Sequence, residues 1–225
     1  MKRFQYILFD LDGTLWESGP GITKGVQHAL HCLGIEEEAS NLTSFIGPPL
    51  NTEFQRRYGF TPEKSAEAIR IFREYYDDRG VYDNRLYPGV RDMLRKLYEA
   101  GIMVAAASSK PQPLIDKLMI YFDIGQYFEF TLGSNPADEL KNQSGEDAKT
   151  KIVTAALTRL CALPEHTAMV GDRRFDMQGA VANHVTPVGA GYGYGTEEEL
   201  RKAGAVFVAP DVPKLCSYLL AGQDD

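Results

Sequence analysis

The sequence predicts an α/β fold, a doubly wound parallel sheet with a small all-helical domain inserted after the first strand. Three observations support this prediction. An apolar run of strand length, residues 6–9, stands near the start of the chain, and residues 17–87 carry their apolar positions at helical spacing. From residue 101 onward, apolar runs of strand length alternate with helical segments. This alternation is typical of a parallel sheet covered by helices.

The first predicted strand, Tyr6–Phe9, is an uninterrupted apolar run, as expected for a parallel strand covered on both faces. Asp10 and Asp12 follow it, and Gly13 comes next. Ligands of such sheets bind beyond the carboxyl ends of the strands, so both carboxylates are expected at a site. Two close carboxylates repel each other unless a cation or a shared proton neutralises them, and oxygen ligands suit Mg²⁺. The alternative is a solvated Asp-Gly turn.

Residues 17–87 are predicted to form a separate helical domain that acts as a lid. Helical spacing is clear over residues 22–33 and 50–58. We therefore predict a catalytic core made of residues 1–16 and 88–225, with the lid inserted between them.

The rest of the chain is predicted to alternate between strands and helices. Strands are expected at residues 102–107, 128–132, 167–170, 186–188 and 206–208. Helices are expected at residues 90–97, 111–122, 149–160 and 176–183. The polar residues 135–148 are predicted to be a surface loop.

Ser108 and Ser109 stand after the second long strand of the predicted sheet. Ser109 and Gln112 have the spacing of a capping box, and Pro111 suits the first turn of a helix. Free amides at a helix start, together with a hydroxyl, would form a seat for an anion. The alternative is that both serines only cap the helix.

Lys149 is predicted to stand at the start of an amphipathic helix. The helix dipole disfavours a cation there, so a bound anion is one source of compensation. The alternatives are a solvated lysine or a role for Lys151 instead.

Asp172 and Asp176 follow the strand predicted at residues 167–170. Their spacing of four residues would place both on one side of a helical turn. We expect Asp172 to complete a metal site with Asp10, and Asp176 to anchor Lys149. The alternative is an acidic cap of the helix.

Composition and charge exclude several classes of function. The chain has 225 residues, 44% of them hydrophobic, and a formal net charge of -7. An acidic chain argues against binding to a nucleic acid polymer or an anionic membrane. Three widely spaced cysteines suit buried thiols in a reducing compartment, so we expect a cytoplasmic protein.

The order of these motifs resembles the haloacid dehalogenase-like hydrolase superfamily over essentially the whole chain. Residues 10–14, DLDGT, are similar to its first motif, Ser108 to its second, Lys149 to its third and residues 171–176, GDRRFD, to its fourth. Further segments resemble its phosphoglycolate phosphatase and 5′-nucleotidase branch. They are Ile46-Gly47-Pro48-Pro49-Leu50, Tyr87-Pro88-Gly89-Val90, Ser109-Lys110-Pro111 and Gly191-Tyr192-Gly193-Tyr194-Gly195.

The resemblance implies a Rossmann-like core, a helical cap and a Mg²⁺-dependent phosphatase. Asp10 would be the nucleophile and Asp12 the acid and base. The metal ligands would be Asp10, Asp172 and the main-chain carbonyl of Asp12. The phosphate would be bound by Asp12, Gly13, Ser108, Ser109 and Lys149, with support from Asp176 and Thr14. Cap residues expected near the substrate are Glu17, Lys24, Gly47, Pro48 and Arg57.

Other functions remain open at this point. A phospho-acceptor switch uses similar residues but is shorter and has no lid, and a catalytically idle binding relative would not need all four motifs. Pyrophosphatase, phosphomutase and phosphonatase chemistry also occur in this superfamily. The glycines of residues 189–195 do not have the spacing of a dinucleotide-binding loop and suggest a flexible loop near the site. We expect a small phosphorylated metabolite as substrate and a monomer or weak homodimer.

Overall fold

The computed structural model describes residues 3–135 and 145–222. The chain divides into two compact units. The first contains the residues up to Trp16, Leu86–Ser134 and the residues described from 145 onward. The second is formed mainly by Glu17–Arg85.

Most strands of the described chain form one parallel sheet. The strands are β1 (Tyr6–Phe9), β2 (Trp16–Glu17), β3 (Arg85–Leu86), β4 (Met103–Pro111), β5 (Phe130–Ser134), β6 (Thr167–Gly171), β7 (Thr186–Ala190) and β8 (Phe207–Ala209). The sheet has six strands in the order β5-β4-β1-β6-β7-β8, each parallel to its neighbours, while β2 and β3 form a separate two-stranded sheet. The predicted α/β fold with a parallel sheet is confirmed.

Helices connect these strands along the chain. They are α1 (Gly19–Cys32), α2 (Leu50–Tyr58), α3 (Pro62–Tyr76), α4 (Val90–Glu99), α5 (Gln112–Tyr121), α6 (Gly145–Leu160), α7 (Arg174–Ala182), α8 (Glu197–Lys202) and α9 (Val212–Leu220).

The central strand β1 is covered on both faces. Ile7, Leu8 and Phe9 have no exposed surface, and Leu8 belongs to a cluster with Met169 of β6 and Val153 of α6. Complete burial of a side chain of this size contributes about 1.5–3 kcal/mol. The end of β1, where Asp10 follows, is therefore anchored in a fully buried part of this unit.

The second unit contains the three α-helices α1, α2 and α3 within Glu17–Arg85. Gly25 lets α1 approach α3 closely, because a Cβ atom there would lie 2.7 Å from the ring of Phe72. Gly59 ends α2 with a φ of 62°, a conformation that favours glycine. The hydroxyl of Thr61 then caps α3 by accepting a hydrogen bond from the amide of Lys64 at 3.2 Å.

Two predicted boundaries that matter for the site are wrong. β4 continues to Pro111 instead of ending at residue 107, with a shift in register between Ala107 and Pro111. α6 begins at Gly145 instead of Lys149, because a polar stretch is as compatible with a solvated helical turn as with a loop. Most of the loop predicted at residues 135–148 lies outside the described residues.

The cysteines are free thiols, but only Cys216 is buried, while Cys32 and Cys161 are exposed. The predicted burial is therefore wrong for two of the three cysteines. Within the described ranges, no helix combines the length and apolar character needed to cross a membrane.

Candidate active site

The site lies where the carboxyl ends of three neighbouring strands meet. β1 is paired with β4 on one side and with β6 on the other, so that Phe9 lies opposite Ala106 and Val170. The amide of Asp10 continues this pattern by donating to the carbonyl of Val170 at 2.8 Å. Because all three strands run in the same direction, the residues that follow them gather at one edge of the sheet.

Three carboxylates form a buried cluster at this edge. Asp10, Asp172 and Asp176 each offer an oxygen, and these oxygens lie within 4.8 Å of one another. The exposed fractions of these residues are 9%, 1% and 1%, respectively. The prediction that Asp10 and Asp172 approach each other across the sheet agrees with this geometry.

Among the residues that the structure describes, Lys149 is the cation inside this cluster. Its Nζ lies 2.8 Å from an oxygen of Asp10, 2.8 Å from an oxygen of Asp176 and 3.0 Å from the carbonyl of Ala107. Its side chain is 3% exposed, whereas Lys151 is an exposed residue. The lysine that meets the first motif is therefore Lys149.

Lys149 lies inside its helix, contrary to the prediction that it stands at the helix start. α6 begins at Gly145, so Lys149 lies within the helix and does not stand at its first position. Burial alone would lower the pKa of Lys149, but the charges of Asp10 and Asp176 outweigh burial and raise it. The charges of Asp10 and Asp176 therefore compensate the charge of this lysine.

One lysine does not neutralise three carboxylates. Burial raises the pKa of Asp172 well above its usual value, and the charges of Asp176 and Asp10 raise it further. Burial also raises the pKa of Asp176, to about 6, although the charge of Lys149 opposes this effect. The cluster thus holds an excess of negative charge on oxygen donors, which is the donor chemistry that suits a hard divalent cation such as Mg²⁺.

Asp176 has two roles in the structure. One oxygen contacts Lys149, as predicted, and the other accepts a hydrogen bond from the amide of Arg173 at 3.0 Å, which caps α7. Asp172 precedes the helix, so the predicted helical spacing is not the reason that the two carboxylates meet. They meet because the chain turns sharply between β6 and α7.

The residues after Asp10 are packed against Asp172. Gly13 has a φ of +80°, and a Cβ atom there would lie 2.2 Å from an oxygen of Asp172, so only glycine fits. The hydroxyl of Thr14 is 3.5 Å from the other oxygen of Asp172, a long hydrogen bond. Thr14 therefore contacts the cluster, and its role in supporting phosphate binding stays a prediction.

The carboxylate of Asp12 is outside the cluster of three. Both of its oxygens contact the Nζ of Lys110, at 2.9 and 3.1 Å, and one accepts from the indole Nε1 of Trp16 at 2.7 Å. Lys110 appeared in the sequence only as part of a resemblance and was not predicted as a site residue. Trp16, whose ring is fully buried, also donates to the site.

The two serines after β4 differ in their environment. Ser108 is buried and its hydroxyl accepts a hydrogen bond from the amide of Lys110 at 3.2 Å, whereas Ser109 is exposed. The predicted capping box of Ser109 and Gln112 is wrong, since α5 begins at Gln112 without a side-chain cap. The side chain of Gln112 instead accepts from the amide of Gly133 at 2.7 Å.

The glycine-rich segment 189–195 forms one wall of the site, which agrees with the predicted position of this loop near the site. The amide of Tyr194 donates to an oxygen of Asp172 at 2.8 Å, and the hydroxyl of Tyr192 donates to the carbonyl of Thr14 at 2.9 Å. A Cβ atom on Gly193 would lie 2.3 Å from the carbonyl oxygen of Gly13. The alternating glycines are the only signal in the sequence, and they indicate close approach instead of flexibility.

The predicted cap residues lie in the second unit. Glu17 is exposed at its start, and Gly47, followed by Pro48, has a φ of 100°. Lys24 pairs with Asp83 at 3.0 Å, and Arg57 donates to the hydroxyl of Ser44 at 3.1 Å. The contact of these residues with a substrate stays a prediction.

Comparison with known proteins identifies the family. The sequence model of the haloacid dehalogenase-like hydrolase family matches residues 7–190. The chain belongs to this family. The predicted resemblance is confirmed, and the four motifs of the sequence lie within the matched residues.

Relatives of this haloacid dehalogenase-like hydrolase include phosphatases. It is 38% identical to a 5′-nucleotidase of Pseudomonas aeruginosa, over 96% of each chain. It is 35% identical to the tyrosine-protein kinase PtkA of Mycobacterium tuberculosis, over 91% of this chain and 68% of that one. It is 28% identical to a phosphoglycolate phosphatase of Salmonella typhimurium, over 89% of this chain and 86% of that one.

A solved structure supports the same assignment. The crystal structure of a predicted phosphatase from Clostridium acetobutylicum superimposes with a TM-score of 0.86 and 35% identity, over 96% of this chain and 98% of that one. The predicted class of enzyme, a phosphoric monoester hydrolase of the haloacid dehalogenase-like kind, is confirmed by these relatives.

Proposed function

We propose that this hydrolase is a Mg²⁺-dependent phosphatase that cleaves small phosphate monoesters through a phosphoaspartate formed on Asp10. The observation that supports the proposal most directly is the position of Asp10. It follows the central strand, contacts a buried lysine and shares its surroundings with two further buried carboxylates. A nucleophile next to a charged orienting group is the arrangement that covalent catalysis requires.

Asp10 attacks the phosphorus atom in the first step of this proposal. Lys149 holds one oxygen of the carboxylate at 2.8 Å and stabilises its negative charge. Ser108 and the amides of the same loop are the expected contacts of the other phosphate oxygens. Positioned donors of this kind are usually the largest contribution to phosphoryl transfer.

Asp12 exchanges the protons of the reaction. In the first step, the bond from phosphorus to the leaving oxygen breaks, a bond to Asp10 forms, and the proton of Asp12 passes to the leaving oxygen. In the second step, water attacks phosphorus, the bond to Asp10 breaks, and Asp12 takes a proton from the water. General acid-base catalysis of this type contributes about 10²–10⁴-fold to the rate.

The cation would be held by Asp10, Asp172 and the main-chain carbonyl of Asp12. When bound, Mg²⁺ supplies positive charge that counters the negative charge of the transferring phosphoryl group. Asp176 is proposed to support the site and not to bind the cation, because its oxygens already contact Lys149 and the amide of Arg173.

The substrate is proposed to be a small phosphorylated metabolite, and the second unit is proposed to act as the cap that selects it. Nucleoside 5′-monophosphates are favoured, because identity to the 5′-nucleotidase is 38% and identity to the phosphoglycolate phosphatase is 28%. A monomer or weak homodimer and a cytoplasmic location remain predictions.

A panel of phosphate monoesters tests this proposal. Release of phosphate is measured with MgCl₂ and with EDTA for nucleoside 5′-monophosphates, phosphoglycolate and p-nitrophenyl phosphate. ATP with a tyrosine peptide tests the activity named for the mycobacterial relative. We expect turnover of at least one monoester with MgCl₂ and none with EDTA.

The variant Asp10→Asn tests the nucleophile. We expect a folded protein whose kcat is lower by about 10³-fold or more, because the first covalent step is lost. Lys151→Met is the control, since Lys151 is exposed, and it should keep full activity. Substantial turnover by Asp10→Asn, or by the native protein in EDTA, would contradict the proposal.

A further inference from the structure

A second buried lysine accompanies Asp12. Lys110 is 7% exposed, and its side chain forms an ion pair with the Asp12 carboxylate, with the two N–O distances at 2.9 and 3.1 Å. Lysine is almost never this deeply buried unless it is paired. The pair joins the loop after β1 to the end of β4 and is separate from the contacts of Lys149.

The irregular end of β4 points Lys110 towards Asp12. The pairing of β4 with β5 shifts register between Ala107 and Pro111. Within this shift the amide of Lys110 donates to the hydroxyl of Ser108, and Ser109 faces solvent while Lys110 is buried. Re-aiming of a side chain is a common consequence of such irregularities near active sites.

Trp16 holds the same carboxylate from another direction. Its indole Nε1 donates to Asp12 at 2.7 Å, and its fully buried ring packs against Phe122 at a centroid distance of 5.5 Å. Asp12 therefore accepts from two side chains that are themselves buried.

Stability alone is a weak explanation for this pair. Replacing a buried ion pair by apolar residues is often neutral or stabilising, because both charges lose their hydration when they are buried. An aspartate that is only solvated at the end of a strand would also be stable without a buried lysine as its partner. The feature that this pair provides is a fixed orientation of Asp12.

We propose that Lys110 is a positioning residue that, together with Trp16, holds the Asp12 carboxylate in place for proton exchange with the leaving group. The inference rests on the proposed function, in which Asp12 protonates the leaving oxygen. Without Lys110, Asp12 occupies several rotamers, and fewer of them reach that oxygen. The loss is largest for leaving groups that depend most on protonation.

The experiment compares two substrates of different leaving-group quality. An alkyl monoester, such as a nucleoside 5′-monophosphate, needs a proton on its leaving oxygen, whereas p-nitrophenolate leaves readily without one. The constant kcat/KM covers the steps up to departure of the leaving group. For Lys110→Met we expect kcat/KM to fall about 10²-fold with the alkyl monoester. With p-nitrophenyl phosphate, we expect a decrease in kcat/KM that is smaller by a factor of about ten or more.

A third prediction concerns the second half of the reaction. Asp12 also activates the water that hydrolyses the phosphoaspartate, so this step should limit turnover of p-nitrophenyl phosphate by Lys110→Met. A rapid burst of p-nitrophenol before the steady state is the expected signature. A purely structural defect would lower the amount of active enzyme and would produce neither the burst nor the difference between substrates.

Trp16→Phe and Lys151→Met complete the set of variants. Trp16→Phe keeps an aromatic ring but lacks the donor, so it should change the ratio of the two kcat/KM values in the same direction. It also carries the test if Lys110→Met does not fold, as judged by circular dichroism. Lys151→Met removes an exposed lysine and should leave both values unchanged.

Equal losses for the two substrates in the folded variants, or no loss in either, would overturn the role of Lys110. The fate of the proposed function is read separately from Asp10→Asn. If Asp10→Asn retains turnover, the nucleophile is wrong. If Asp10→Asn is inactive while Lys110→Met lowers both substrates equally, only the positioning role fails.

Discussion

The three carboxylates of the cluster differ in their partners. Asp10 and Asp176 share the positive charge of Lys149, whereas Asp172 accepts hydrogen bonds from the amide of Tyr194 and the hydroxyl of Thr14, which are neutral donors. Asp172 is also 1% exposed. Burial of its charge is therefore the least compensated of the three.

This difference predicts how stability depends on pH in the absence of metal. Because burial raises the pKa of Asp172, the folded protein keeps a proton on it at pH values where the unfolded chain has lost it. Stability should then fall as the pH rises from about 4, and Asp176, with a pKa of about 6, should add to the fall up to about pH 6. Urea unfolding in EDTA measures this trend.

Asp172→Asn isolates the contribution of Asp172. The variant cannot lose a proton there, so at pH 8 in EDTA it should be more stable than the native protein, because burial no longer acts on a charge at this position. At pH 4 the two proteins should be similar. A variant that is less stable than the native protein at pH 8 would show that the buried charge of Asp172 does not destabilise the fold.

Single residues of the site differ in how well the sequence predicts them. Asp10 and Asp172 could be predicted because each follows a recognisable strand, and Lys149 because it precedes an amphipathic pattern of apolar residues. Lys110 could not, because whether it faces the site or solvent depends on a shift in strand register that changes the alternation of side chains. Contact between Asp12 and Lys110 is a property of the fold and leaves no local pattern.

At the scale of elements, the loop between β7 and α8 is part of the site. Tyr194 holds an oxygen of Asp172 through its amide, and a Cβ atom on Gly193 would lie 2.4 Å from the Cβ of Asp172. A Cβ atom on Gly191 would instead meet the side chain of Val208 at 2.8 Å. The two glycines are crowded on opposite sides, one towards the cluster and one towards β8.

This arrangement predicts different effects of the same substitution at two positions. Gly193→Ala should weaken binding of Mn²⁺ or Mg²⁺ by about tenfold or more, because groups that orient a metal ligand typically contribute 10–100-fold to affinity. Gly191→Ala should lower the melting temperature without a comparable loss of affinity. Isothermal titration calorimetry measures the first effect and thermal unfolding in EDTA the second.

The control for this comparison is the loss of metal affinity in Gly191→Ala relative to the loss in Gly193→Ala. If Gly191→Ala weakens metal binding as much as Gly193→Ala does, the loop acts through general stability and not through Asp172. Tyr194→Ala keeps the amide donor and should retain most of the affinity, which separates the backbone contact from the side chain.

Element boundaries explain why parts of the site were predicted incorrectly. Ser109 and Gln112 have the spacing of a capping box. However, β4 extends through Ser109, so no helix starts directly after that residue. Strand and helix signals overlap in this short segment, and pairing with β5 decides between them. Propensity is a weak guide where tertiary pairing competes with it.

At the scale of the whole molecule, the cluster joins segments that are far apart in sequence. Its members follow β1, stand within α6 and surround the start of α7. A cation that binds these carboxylates in the folded protein only would stabilise that state by about 2.7 kcal/mol at a concentration 100 times its Kd.

We therefore predict that saturating MgCl₂ raises the melting temperature by roughly 5–10 °C relative to EDTA, given the usual sensitivity of chains of this length. Asp172→Asn should lose most of this increase, since it lacks one of the proposed ligands. A similar increase in the variant, or none in the native protein, would argue against a cation at Asp10 and Asp172.

The fold as a whole was the most predictable level. Strand length, uninterrupted apolar runs and regular alternation with helices are repeated many times, so single errors such as the late start assigned to α6 do not change the architecture. The glycine-rich loop was less predictable, because close packing and flexibility use the same residue type.

The order of the sheet has a consequence during synthesis. β1 is made first, but its two neighbours in the sheet begin at Met103 and Thr167. At about 5–20 residues per second, a ribosome needs roughly 10–30 seconds to reach the second of these partners. Until β4 has been made, the apolar segment of β1 has no neighbouring strand in this sheet, and its second edge stays unpaired until β6 follows.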